Sequence, residues 1–155
     1  DLIGSEDSFE IGKNESLNEN LGEITGYLKI GGFTIGFITL LGASIGLMNI
    51  MLVSVTERTR EIGVRKSIGA TPNIIKNQFL LESILICLIG GVGGIMLGML
   101  FGNLVTIYIG GGSFIIPWLW ILVSLIISTI VGIISGYLPA KKASELDPIE
   151  SLRFE

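Results

Sequence analysis

The sequence predicts an all-α membrane protein: three transmembrane helices, a short helix between the first two, and a first span extended outward as a stalk. Three observations carry this. Apolar residues make up 49% of the chain and charged residues only 15%, with mean hydropathy +0.72. Formal charge is absent from two long runs, 27 residues between Lys29 and Glu57 and 58 between Glu82 and Lys141. The remaining Lys and Arg gather in alternate connections. A span needs about 20 predominantly apolar residues. The first run therefore holds one span, and the second holds two if the chain turns in between.

Residue 1 is aspartate and the first methionine is Met48, inside a span. The chain therefore reads as a piece of a longer one, and no signal-peptide pattern precedes Asp1. Residues 1–15 read as the end of an extracytoplasmic domain. Ser8 to Gly12 alternates like a strand. Ser16 and Glu19 form a capping box. Leu17, Leu21, Ile24 and Leu28 follow helical spacing. Residues 16–55 are then stalk and first span (about 30–55) in one rod of roughly 60 Å. The alternative is two helices broken at Gly31-Gly32. Asn14-Glu15-Ser16 fits a glycosylation sequon, but helix initiation explains these residues better.

Residues 56–78 form a connection with a helix of its own. Glu61 and Arg65 are an i,i+4 pair, and Val64 and Ile68 share an apolar edge. Gly69 suits the helix C-terminus, and Thr71-Pro72 suits the start of the next helix. The second span covers 79–107. An outer turn at 108–116 includes Gly110-Gly111-Gly112, which has no helical preference. The third span covers 117–138, with Pro117 in its first turn. In the tail, 139–155, Asp147-Pro148-Ile149-Glu150 starts a last short helix through Arg153.

Orientation follows from the basic residues. The 56–78 connection carries Arg58, Arg60, Arg65, Lys66 and Lys76, and the tail carries Lys141, Lys142 and Arg153; the outer turn carries none. The N-terminal segment sets Lys13 and Lys29 against seven acidic residues. The N-terminal end therefore lies outside, and the 56–78 connection and C-terminus are cytoplasmic. Tyr27, Tyr108, Phe114, Trp118 and Trp120 then fall at the outer interface, where aromatic belts form.

Small and polar residues within the spans mark packing. Gly90, Gly94, Gly98 and Gly102 recur every fourth residue along one face of the second span, where another backbone can approach closely. Gly32–Gly36, Gly42–Gly46 and Gly132–Gly136 repeat the motif. Ordinary helix packing, a homodimer seam and a sliding contact all suit such a ridge. Asn49 is the one amide deep in the first span, placed to bond a neighbouring helix. Glu82 is the only carboxylate in an apolar run. A proton relay is disfavoured, because no second acid or base lies in any span. Snorkelling, or pairing with Arg58 or Arg60, explains Glu82 better.

Several chemistries are excluded. The chain has no histidine, which removes Ser-His, Cys-His and HExxH sites; its single cysteine, Cys87, removes an intrachain disulfide and a CxxC knuckle. No metal site and no catalytic residue is expected. Nucleic-acid binding is disfavoured, since topology explains the basic connection and no aromatic platform accompanies it. A self-contained ion-coupled carrier is disfavoured by the near absence of charge in the spans.

The run Gly46-Leu47-Met48-Asn49-Ile50-Met51-Leu52-Val53-Ser54-Val55-Thr56-Glu57-Arg58-Thr59-Arg60-Glu61-Ile62-Gly63-Val64-Arg65-Lys66, continuing to Ile68-Gly69-Ala70, resembles the signature of MacB-type ABC transporter permeases, of the FtsX-like superfamily. Gln78-Phe79-Leu80-Leu81-Glu82 with Gly90-Gly91, and Pro139 through Arg153, resemble its two later signatures. Ser67 and Ser83 stand where the family more often has alanine. The resemblance covers roughly residues 15–155. It implies four spans per subunit, with a large extracytoplasmic domain between the first and second.

The resemblance also implies that the 56–78 connection docks on an ATPase. That role carries to Glu57, Arg58, Arg60, Glu61, Arg65, Lys66 and Gly69. The implied function is that of a permease in the bacterial inner membrane, coupling ATP hydrolysis to movement of the outer domain for export of drugs, peptides or similar amphiphiles. A relative serving lipoprotein release or control of cell-wall hydrolases is the alternative. The chain is then no enzyme by itself and binds no cofactor; ATP and Mg sit on the partner or fused ATPase, since no GxxxxGK[ST] occurs here. Further implied partners are a second permease in a homodimer or pseudo-symmetric dimer, a periplasmic adaptor protein and membrane lipid.

Overall fold

The computed structural model describes the backbone of residues 3–110 and 116–147, and the side chains of 19–108 and 116–147. The described residues hold four helices and no strand: α1 (Ile3–Glu57), α2 (Thr59–Ser67), α3 (Pro72–Gly110) and α4 (Trp118–Glu145). Three stretches are long and apolar enough to cross a membrane, Glu19–Glu57, Pro72–Tyr108 and Trp118–Glu145. The all-α membrane architecture is therefore the observed one. The chain divides into two compact units, Asp1–Gly42 and Ala43–Glu155.

The first unit is helical through Gly31-Gly32. Two glycines cost about 1 kcal/mol each in a helix, too little to break a long apolar one. Two sequence expectations fail here. Residues 8–12 are helical rather than a strand, and Ser16 lies inside α1 rather than at its start. Five alternating residues satisfy a strand pattern, but a strand needs a partner for its ladder, whereas a helix closes its own hydrogen bonds. Thr25, Thr34 and Thr39 each return a hydroxyl proton to the carbonyl four residues back, at 2.7–2.8 Å, which satisfies these three hydroxyls on an apolar helix. Phe33 and Phe37, one turn apart, stack with ring centroids 6.4 Å apart.

The second unit packs in two ways. At the end next to α2, one cluster buries Met51 and Val55 of α1, Ile62 of α2, Ile75 and Phe79 of α3, and Ala140 and Ala143 of α4. Further along, α3 and α4 meet through small residues and hydroxyls. Ser83 Oγ donates to Leu80 O at 2.8 Å and to Gly132 O at 3.1 Å. Ser44 and Ser135 share a 2.7 Å hydroxyl bond between α1 and α4. Close approach demands glycine at Gly132, where a Cβ would stand 2.8 Å from Ile84 Cα, and at Gly136, where it would fall on Ser83 Oγ. Lipid is as apolar as leucine, so small residues and hydroxyls hold helices together where burial alone does not.

The seam therefore uses Gly91, Gly132 and Gly136. Gly90, Gly94, Gly98 and Gly102 are exposed, and a Cβ on any of them would meet nothing within 4 Å. The expected ridge exists but packs no helix of this chain among the described residues. Gly91 faces Ser128 of α4, whereas Gly94 and Gly98 border an open cleft lined across from them by Trp120, Ile121 and Ser124, so α3 and α4 stand apart at that level. Asn49 is likewise exposed and bonds no other helix of this chain among the described residues. It lines a shallow groove on α1 with Ile50, Val53, Ser54 and Glu57.

Two proline positions shift the expected helix ends. Pro117 precedes the first helical residue of α4, with φ −84° and ψ 77°, rather than lying in its first turn. α4 continues beyond the expected span, through Pro139 to Glu145. Pro139 deprives the Ser135 carbonyl of its helical donor, a loss that the buried packing around Pro139 and Ala140 offsets. Tyr27, Tyr108, Trp118 and Trp120 are all exposed. Residues 111–115 of the outer turn, Phe114 among them, and residues 148–153 of the expected last helix lie outside the described residues.

Candidate functional site around α2

α2 is a nine-residue helix with two distinct faces. Helical spacing turns Arg58, Ile62, Arg65 and Lys66 toward the spans. Ile62 and Gly63 are buried. Arg58 Nη1 lies 3.3 Å from Glu82 Oε1 of α3. Arg65 Nη1 donates to Gln78 Oε1 at 2.7 Å, and Arg65 Nη2 lies 3.9 Å from Glu61. Going along α2 from 58 to 65 moves the partner on α3 from 82 back to 78, the register of an antiparallel hairpin. Lys66 Nζ turns to α4 instead, donating to Ser144 O at 2.7 Å and to Leu146 O at 2.6 Å.

The hairpin closes through a tight turn. Gly69 has φ +105°, which side-chain-bearing residues rarely adopt. The Gly69 amide donates to Lys66 O, and the Ala70 amide to Arg65 O, satisfying the last carbonyls of α2. Thr71 O accepts from Ile74 N and Ile75 N, so α3 begins at Pro72, where a missing N–H costs nothing.

Of the residues expected to dock a partner, Arg58, Arg65 and Lys66 are bonded within the chain, and Gly69 shapes the turn. Glu57 is exposed at the end of α1. Arg60, Glu61 and Val64 form the opposite face of α2 and line a shallow depression with Arg65. Arg60 forms no ion pair or hydrogen bond among the described residues. Ile68 is 81% exposed, extending that face as an apolar edge. Sequence reasoning missed Gln78 and the carbonyls of Ser144 and Leu146 as partners. Gln78 and Glu82, one turn apart where a charge-free run begins, were the available signal. Backbone acceptors leave no such signal. Lys76 stands 4.7 Å over the Tyr137 ring, another α3–α4 link invisible in the sequence.

No group of three or more potential metal ligands exists among the described residues. Residues 33–148 match the model of the FtsX-like permease C-terminal domain. The chain belongs to the FtsX-like permease family. Among relatives of this FtsX-like chain, "Macrolide export ATP-binding/permease protein MacB" of Mannheimia succiniciproducens is 44% identical over 98% of this chain and 24% of its own length. "Uncharacterized ABC transporter permease YknZ" of Bacillus subtilis is 47% identical over all of this chain and 39% of its own length. A MacB protein of Psychrobacter cryohalolentis is 43% identical over 94% of this chain and 22% of its own length. The chain thus spans between about a fifth and two fifths of the relatives it matches. Family and spans together make it a bacterial membrane protein.

Proposed function

We propose that the chain is the membrane-embedded end of an ABC transporter permease, and that the outer face of α2 receives the transporter's ATPase. The observation that carries this is the division of α2. One face is fastened to α3 by Arg58–Glu82 and Arg65–Gln78 and to α4 by Lys66. The other presents Arg60, Glu61, Val64 and Ile68 outward. A helix held firmly on one side and bare on the other can take a push from a partner and pass it to the spans. An unfastened loop would absorb it.

On this reading α2 and the C-terminus are cytoplasmic, in keeping with the basic residues beside them. ATP and Mg stay on the ATPase, and the chain itself catalyses nothing. α1 carries the movement to an outer domain, and a periplasmic adaptor can engage that domain. Two permeases pair, and the open ridge of Gly90, Gly94, Gly98 and Gly102 offers a face that a second backbone can approach. Export of amphiphiles such as drugs is supported by the names of the macrolide-export relatives; lipoprotein release or control of cell-wall hydrolases is the alternative output.

The test is Arg60→Glu combined with Val64→Asp in the full-length permease expressed with its ATPase. Neither residue has a bonded partner among the described residues, so the spans should assemble normally. ATPase recovered with the purified permease should fall by about tenfold or more, as when a central contact is lost. Undiminished recovery contradicts the assignment.

A further inference from the structure

α2 and α4 are not consecutive in the chain; the residues they bring together are 78 and 80 positions apart. The contact joining them is specific. Ser144 lies in the last turn of α4, and Leu146 follows its final helical residue. Carbonyls there have no partner within their own helix and carry the negative end of its dipole. Lys66 Nζ, an ammonium with three donors, places two of them on these oxygens. Lys141 and Lys142, closer in sequence, do not take this role: both are exposed, and Lys141 pairs instead with Glu145 at 3.8 Å. Ile62, one turn before Lys66, is buried in one cluster with Ala140 and Ala143, so the strap crosses a packed contact.

We infer that Lys66 is a positioning residue, the strap by which displacement of α2 is passed to α4. This rests on the proposed docking of the ATPase on the outer face of α2. The basic residues of α2 then divide into three tasks. Arg58 and Arg65 hold α3, Lys66 holds α4, and Arg60 is left for the partner. Movement imposed on α2 reaches α3 along the continuous chain as well as through its side chains. It reaches α4 through Lys66 and the apolar contact beneath it.

The experiment uses the full-length permease with its ATPase in lipid nanodiscs. Amide hydrogen exchange is followed with and without ATP plus vanadate, in wild type, Lys66→Met and Lys66→Arg. In wild type, trapping should change exchange both in α2 and at residues 139–147. In Lys66→Met the ATPase should still co-purify and α2 should still respond. The response at 139–147 should shrink by about tenfold, in the range of typical coupling between sites. Lys66→Arg, whose guanidinium can reach the same carbonyls, should restore it. A full response at 139–147 in Lys66→Met, or no recovery with Arg, overturns the inference. Loss of ATPase binding in Lys66→Met also overturns it, by making Lys66 a docking residue. Should Lys66→Met fold poorly, Lys66→Gln, too short to reach both carbonyls, takes its place with the same expectation. The underlying docking reading fails separately, if α2 shows no response in wild type.

Discussion

Four basic residues between Glu57 and Lys76 look alike in composition, yet helical angle gives them different tasks. Arg58, Arg65 and Lys66 share the face that bears buried Ile62, while Arg60 points away. From the sequence all of them carry to docking, and Glu82 has Arg58 or Arg60 as its partner; Gln78 and the Ser144 carbonyl, 13 and 78 residues away from their partners, were not legible there. The Arg58–Glu82 pair is about half exposed, so a double-mutant cycle of Arg58→Gln and Glu82→Gln should return a coupling of about 0.5 kcal/mol. A coupling near zero would make the contact incidental. Gly132 gives a larger effect. A methyl group there meets the Ile84 backbone, which cannot rotate aside. Gly132→Ala should cost about 1–3 kcal/mol by overpacking, read as a lowered thermal midpoint in detergent. An unchanged midpoint would show that α3 and α4 do not approach as closely as described.

At the scale of elements, the α2–α3 turn depends on one backbone angle. Gly69→Ala should destabilise the turn by about 1 kcal/mol or more and raise proteolysis between residues 66 and 72. Equal resistance to protease would argue against the positive φ. The glycine ridge makes the opposite kind of prediction. Gly98 has open space within this chain, so Gly98→Leu should leave the stability within about 0.5 kcal/mol of wild type. It should weaken pairing of two permeases, measured by cross-linking in native membranes. A dimer insensitive to Gly98→Leu would remove the ridge from the interface. Element ends were read with mixed success for physical reasons. Thr71-Pro72 marks a true start because proline fits the first turn. α4 continues through Pro139, where burial of Ala140 and Ala143 among Met51, Val55, Ile62, Ile75 and Phe79 offsets one lost hydrogen bond. The alternation at 8–12 was too short to hold a strand where helix was available.

The whole molecule was legible in its class because two charge-free runs have few structural solutions. Three long apolar helices and a basic connecting helix follow from them. What remained hidden was how the helices touch. Seam glycines and ridge glycines have the same spacing in sequence, and only the crossing of α3 with α4 separates Gly91, Gly132 and Gly136 from Gly90, Gly94, Gly98 and Gly102. Of the basic residues around α2, Arg58, Arg65 and Lys66 fasten it to α3 and α4, and on the proposed docking Arg60 is left for the partner. The most direct test places a photoreactive residue in turn at Val64, Ile68 and Ile89 of the full-length permease in cells. Val64 and Ile68, exposed on α2, should cross-link to the ATPase, and Ile89, exposed in the middle of α3, should not. Absence of the ATPase adduct from both α2 positions would contradict the account.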